Sequence, residues 1–75
     1  MYYADNHCTY VEQYSPEHTY SYTGIEMNSG KEMTVTVKAP DVFKYRQGEY
    51  IQVAFPYLSP EEREFLLSGM VFLSE

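Results

Sequence analysis

Polar and apolar residues alternate with a period of two through His18-Thr19-Tyr20-Ser21-Tyr22-Thr23, and again through Met33-Thr34-Val35-Thr36-Val37. That period marks a strand with one buried face. Asn28-Ser29-Gly30 lies between the two runs, and a glycine there suits the left-handed position of a short hairpin loop. Residues 18–38 therefore predict an antiparallel β-hairpin. Met33, Val35 and Val37 form the apolar face of its second run; Thr34, Thr36 and Lys38 form the polar one. Tyr20 and Tyr22 have one parity, Ile25 and Met27 the other. A regular strand cannot bury both pairs on one face. Gly24 stands between them, where a β-bulge would switch the phase, so a bulge or break is expected there.

Beyond Lys38 the signals become helical. Pro40 and Asp41 suit a first helical turn and Gly48 suits the C-terminal stop, which predicts a short helix over 40–48. Phe43 is expected to face the core. Residues 49–55 fit two patterns. Ile51 and Phe55 share a helix face, whereas Ile51, Val53 and Phe55 share a strand face; the helix is preferred. Ser59-Pro60-Glu61-Glu62 is the clearest local signal in the chain. Ser59 caps, Pro60 takes the first helical position, and Glu62 completes a capping box. A helix over 60–68 follows, with Phe65 and Leu66 inward and Gly69 as its stop. The apolar run Met70-Val71-Phe72-Leu73 must pack on the domain or on a second subunit.

Residues 1–17 carry the weakest pattern. Met1-Tyr2-Tyr3-Ala4 and Thr9-Tyr10-Val11 are compatible with short strands or an arm, with turn chemistry at Asp5-Asn6 and Ser15-Pro16. The 75 residues make one domain, 1–75, without repeats or a linker. The expected fold class is α+β: a small antiparallel β-sheet, with its hairpin at about 18–38, covered by two or three short C-terminal helices. A domain of this size is marginal, with a stability of about 5 kcal/mol or less. Cys8 is the single cysteine, which excludes an internal disulfide and fits a reducing compartment.

Charge narrows the partners. Eleven acids against five Lys and Arg leave a net charge of −6. Asp5, Glu12, Glu17 and Glu26 fall in the first 30 residues, which hold no Lys or Arg. An acidic chain repels phosphate backbones, so direct nucleic-acid binding is disfavoured and a basic partner surface favoured. Lys31, Lys38, Lys44 and Arg46 are the only makings of a basic stripe against that trend. Nine tyrosines add large contact area with polar tips, a composition favoured at interfaces. The candidate partner-binding residues are therefore Tyr20, Tyr22, Glu12, Glu17 and Glu26. MYYADNHCTY has neither a basic start nor an apolar core, so no secretory leader is expected. No stretch approaches a membrane span.

Catalytic chemistry finds little footing. His7, Cys8 and His18 can bind metals, but their spacing matches no zinc module. His7 beside Cys8 does not make a dyad, because neighbours on a strand point to opposite faces. Glu61, Glu62 and Glu64 suit a helix start. No phosphate loop or dinucleotide fingerprint is present. No enzyme activity, cofactor or metal is expected.

From residue 33 to 69 the string MTVTVKAPDVFKYRQGEYIQVAFPYLSPEEREFLLSG resembles a family of short bacteriophage and prophage proteins. Their shared pattern is an Ile-Gln-x-Ala-Phe-Pro-x-Leu-Ser segment followed by a Glu-Arg-Glu-Phe-Leu-x-Ser-Gly helix. The matching positions include Ile51, Gln52, Ala54, Phe55, Pro56, Leu58, Ser59, Glu62, Arg63, Glu64, Phe65, Leu66, Ser68 and Gly69. The chain departs from that pattern after Gly69, where Met70-Val71-Phe72-Leu73 replaces a Cys-Pro-x-Cys-Trp-like end. The resemblance implies a phage or mobile-element origin and no particular activity. Size, acidity and tyrosine content then make the leading expectation a phage-encoded inhibitor or modulator of a bacterial protein. Such an inhibitor, anti-CRISPR-like, would act in the host cytoplasm on a nucleic-acid-binding effector. The alternative is a self-associating assembly protein, a homodimer through an edge strand or the apolar tail.

Overall fold

The computed structural model describes residues 1–71. Helix α1 (Tyr2–His7) leads into strands β1 (Thr9–Gln13), β2 (Thr19–Ile25) and β3 (Glu32–Lys38). Helices α2 (Ala39–Arg46), α3 (Ile51–Ala54) and α4 (Pro60–Ser68) follow. The strands form an antiparallel sheet in the order β1-β2-β3. This is a small α+β fold with helices on one sheet face.

The expected hairpin is β2 and β3. Val35 and Val37 are fully buried on the inner face, and Tyr22, paired with Val35, joins them. On the outer face Ser21 bonds Thr36 and Thr23 bonds Thr34, each at 2.9 Å, so cross-strand hydroxyls replace packing there. Gly30, at φ 71°, closes the turn as expected.

No bulge forms at Gly24. The ladder runs unbroken through Thr23↔Thr34, Gly24↔Met33 and Ile25↔Glu32. The parity conflict is resolved by leaving Ile25 and Met27 at the surface, 50% and 59% exposed. Glycine is needed at 24 for another reason: a Cβ there would lie 2.6 Å from Cys8 Sγ.

The first residues are a helix, not a strand. Met1 and Ala4, three apart, are buried, while Tyr3 and His7, four apart, stack at 5.2 Å. Those are helical spacings. Tyr3 also meets Phe65 edge-on at 5.6 Å and donates a 2.6 Å hydrogen bond to the Ile25 carbonyl. It thereby joins α1, β2 and α4.

α2 and α4 form where local signals placed them. α2 buries Ala39 and Val42 against β3. Phe43 is not core: with Ala39 and Val42 inward, it turns outward and is 47% exposed. Residues 51–54 are the helical alternative, with Phe55 fully buried just beyond. The α4 capping box is complete. The Glu62 N–H donates to Ser59 Oγ at 3.2 Å, and the Ser59 N–H donates to Glu62 Oε1 at 3.0 Å. Phe65 and Leu66 complete the core with Phe55, Leu58 and the two valines. Of the apolar tail, Met70 and Val71 are half-buried; Phe72 and Leu73 lie outside the described residues.

Candidate protein-binding face

α1 lies against β2 and α2 against β3, while β1 packs essentially on β2 alone. The inner face of the sheet therefore extends past its helical cover. Period-two alternation and the register put Tyr10, Glu12, Tyr20 and Tyr22 on that face. Exposure rises across the strip: Tyr22 is 3% exposed, Tyr20 is half-buried and Tyr10 is 60% exposed.

The rings are mutually packed. Tyr10 meets Tyr20 edge-on at 5.8 Å and Tyr22 at 6.0 Å. Tyr14 stacks on His18 at 4.5 Å, and His18 lies 5.4 Å from Tyr20. Such pairs hold side chains in place beyond their area of burial. Glu12 sits among them, directly across from Tyr20, and His18 Nε2 donates to Glu12 Oε2 at 2.5 Å. The His18 hydrogen bond, with those of the Tyr14 and Tyr20 hydroxyls, holds the Glu12 carboxyl below the usual carboxylate range. In turn the hydrogen bond to Glu12 raises the Tyr14 phenol, and burial followed by Glu12 raises that of Tyr20. The face thus sets a hydrogen-bonded carboxylate inside a ring of tyrosines and the His18 ring. Beside it a cleft of about 220 Å³ opens between Tyr10, Tyr20, Tyr22, Ala4, Asp5 and Arg46. Arg46 is partly neutralised there by Asp5, 3.8 Å away.

The structure brings Glu12, Tyr20 and Tyr22 onto one face, with Tyr22 at its buried end, and places Glu17 and Glu26 elsewhere. Tyr22 is a core residue: its ring closes the inner face against Val35. Glu17 is exposed in the β1–β2 connection, where its charge is felt by Tyr57. Glu26 is a correction. Only 6% exposed, it accepts the N–H groups of Asn28 at 2.9 Å, Ser29 at 2.7 Å and Val71 at 2.8 Å. Those donors, led by Asn28, pull its pKa down to about 2. It clamps the β2–β3 turn to the segment after α4 and cannot reach a partner.

Tyr10, Tyr14 and His18 were missed as members of the face. Their signal was in the parity: Tyr10, Glu12 and Tyr14 alternate, as do His18, Tyr20 and Tyr22. Cys8 is half-buried, and burial pushes its thiol up, away from a reactive thiolate. Among the described residues no three His, Cys, Asp or Glu side chains are grouped to hold a metal, and no helix is long and apolar enough to cross a membrane. No protein-family model, curated protein or solved structure matches the chain.

Proposed function

We propose that this chain is a small binding protein whose acidic, tyrosine-rich face docks on a basic surface of a bacterial protein and blocks or modulates it. The observation that carries the reading is the uncovered strip itself. Tyr10, Glu12, Tyr14, His18 and Tyr20 are packed on one another and yet open to solvent. Rigid aromatic anchors around a fixed charge are what a protein interface needs at its centre. The carboxylate steers and the rings are desolvated on contact. A nucleic-acid-binding effector offers the matching basic groove. The phage-protein resemblance of residues 33–69 is in keeping with an inhibitor of a host defence complex, acting in the host cytoplasm.

The test is an affinity pull-down of the tagged chain from bacterial lysate at low and high salt, beside a Glu12→Gln, Tyr20→Ala variant. The expected result is one enriched protein that disappears at high salt and with the variant, while the variant's circular dichroism is unchanged. Enrichment indifferent to both salt and variant would refute this face as the binding site. No enrichment at all would refute the binding role in that host.

A further inference from the structure

We infer that the free edge of β1 pairs with β1 of a second copy of this chain, joining two sheets into one of six strands. The inference stands on the geometry of the edge; only its consequence for the partner rests on the function proposed above.

The Ala39 N–H bonds the His18 carbonyl at 3.0 Å and the Glu26 N–H bonds the Lys31 carbonyl at 2.8 Å. Even-numbered residues of β2 therefore bond β3, and odd-numbered ones bond β1. In the register Thr9↔Thr23, Val11↔Ser21 and Gln13↔Thr19, the odd residues of β1 are consumed. The N–H and C=O groups of Tyr10 and Glu12 point outward, and among the described residues no backbone bond outside the sheet reaches them. Thr9, Tyr10, Val11 and Gln13 are all exposed, so nothing covers the edge.

Natural sheets guard such edges with lysine, proline, a bulge or a covering element. β1 has no lysine, proline, bulge or cover; its one charge, Glu12, is turned to the inner face and hydrogen-bonded to His18. The opposite edge, by contrast, is guarded at its two ends. The Tyr57 hydroxyl accepts the Lys38 N–H at 2.9 Å and donates to Asp41 at 3.0 Å. The Lys38 ammonium lies over the Tyr57 ring, and Glu32 charges the strand's other end.

The β1 sequence is also self-complementary. An antiparallel pair centred on Val11 sets Tyr10 against Glu12 of the second copy twice, as hydrogen-bonded pairs. Thr9 then faces Gln13, and Val11 faces Val11 as the closer, non-hydrogen-bonded pair. Val11 is 62% exposed in the single chain and gains an apolar neighbour. Centring on Glu12 instead would oppose two carboxylates, which is unfavourable. A two-fold axis through Val11 runs perpendicular to the sheet, so both inner faces stay on one side. The two uncovered strips then merge into one acidic, tyrosine-lined trough, walled on each side by the helices of one copy.

The experiment is sedimentation velocity of the full chain across a concentration series, with three variants. Tyr10→Pro removes an N–H that makes no bond within the chain, so the fold survives and the edge is blocked. Tyr10→Ala keeps the N–H and removes the ring. Val11→Lys places two ammonium groups on the axis without touching the inner face. Expected are two-chain masses for the wild type and Tyr10→Ala, and one-chain masses for Tyr10→Pro and Val11→Lys. A wild type that stays at the mass of one chain throughout overturns the inference. So does a Tyr10→Pro variant that is folded by circular dichroism and still paired. If that variant unfolds, Val11→Lys decides alone: a paired Val11→Lys chain overturns the inference. Partner capture plays no part in these masses, so the two readings fail separately.

Discussion

Gly69 and Gly30 have nearly the same backbone, at φ 78° and φ 71°, but different surroundings, and substituting each separates strain from steric conflict. An L-residue in this left-handed region costs about 1–2 kcal/mol. At Gly30 that is the whole cost, because nothing lies within 4 Å of an added Cβ. At Gly69 the Cβ would meet three atoms of the Tyr3 ring at 2.5 to 2.8 Å. The ring cannot retreat easily, since Phe65 and His7 flank it and its hydroxyl is bonded to the Ile25 carbonyl. Overpacking of this kind adds about 1–3 kcal/mol. Gly69→Ala should therefore cost about 2–5 kcal/mol, a large share of a stability near 5 kcal/mol. Asparagine tolerates the left-handed conformation but carries the same Cβ. Gly30→Asn should be close to neutral, whereas Gly69→Asn escapes most of the strain and should keep the steric cost of about 1–3 kcal/mol. Urea unfolding followed by circular dichroism reads the difference. At a slope near 1 kcal/mol/M, a loss of 2 kcal/mol lowers the midpoint by about 2 M. If Gly69→Asn unfolds within about 0.5 kcal/mol of the wild type, the Tyr3 ring moves aside and is not what fixes glycine there.

Gly24→Ala should destabilise by about 1–3 kcal/mol, because of Cys8 Sγ at 2.6 Å. In a Cys8→Ala background the nearest Cys8 atom left is Cβ, at 3.5 Å. The same change should then stabilise by about 0.5–1 kcal/mol, and additive effects in a double-mutant cycle would reject the contact. The Glu26 carboxyl, at about 2 in the folded chain against about 4.3 unfolded, contributes stability that is full above pH 4.3. That contribution is lost as the pH falls toward 2. Urea midpoints against pH for the wild type and Glu26→Gln should converge on acidification, and a constant gap would refute the clamp. Phe55→Ala or Phe65→Ala, each removing a fully buried ring, should cost about 3–5 kcal/mol and abolish cooperative unfolding; a sharp thermal transition in either would show that the helices are peripheral.

Where a local rule decides the structure, the sequence was readable. The β2–β3 hairpin follows from period-two alternation, and α4 follows from Ser59, Pro60 and Glu62, whose capping bonds form as that spacing requires. Where two rules compete, the reading failed. At Gly24 the choice lay between breaking the ladder and exposing Ile25 and Met27; the ladder won, because lost main-chain bonds cost more than two surface side chains. α1 was illegible because six residues are too few to show a period, and its helix is held by Tyr3 and Ala4 packing. Glu26 was misplaced because a carboxylate in a turn reads as exposed. Its donor on Val71 is 45 residues away in sequence, a meeting that no local pattern announces.

The candidate face and the core are parts of one surface, and that continuity sets how function and stability are linked. Two helices are enough to roof two strands, so the third strand is left as a ledge. A ledge beside a core cannot carry plain aliphatic residues without an exposed apolar patch, nor only charges without undermining the packing next to it. Tyrosine, histidine and a hydrogen-bonded carboxylate satisfy both demands, since each has a packing body and a polar end. The gradient from buried Tyr22 to half-buried Tyr20 to exposed Tyr10 follows from that position. Replacing the Tyr22 ring should therefore disturb folding first, replacing the Tyr10 ring should weaken the proposed docking to a partner first, and Tyr20 is where the two effects should meet.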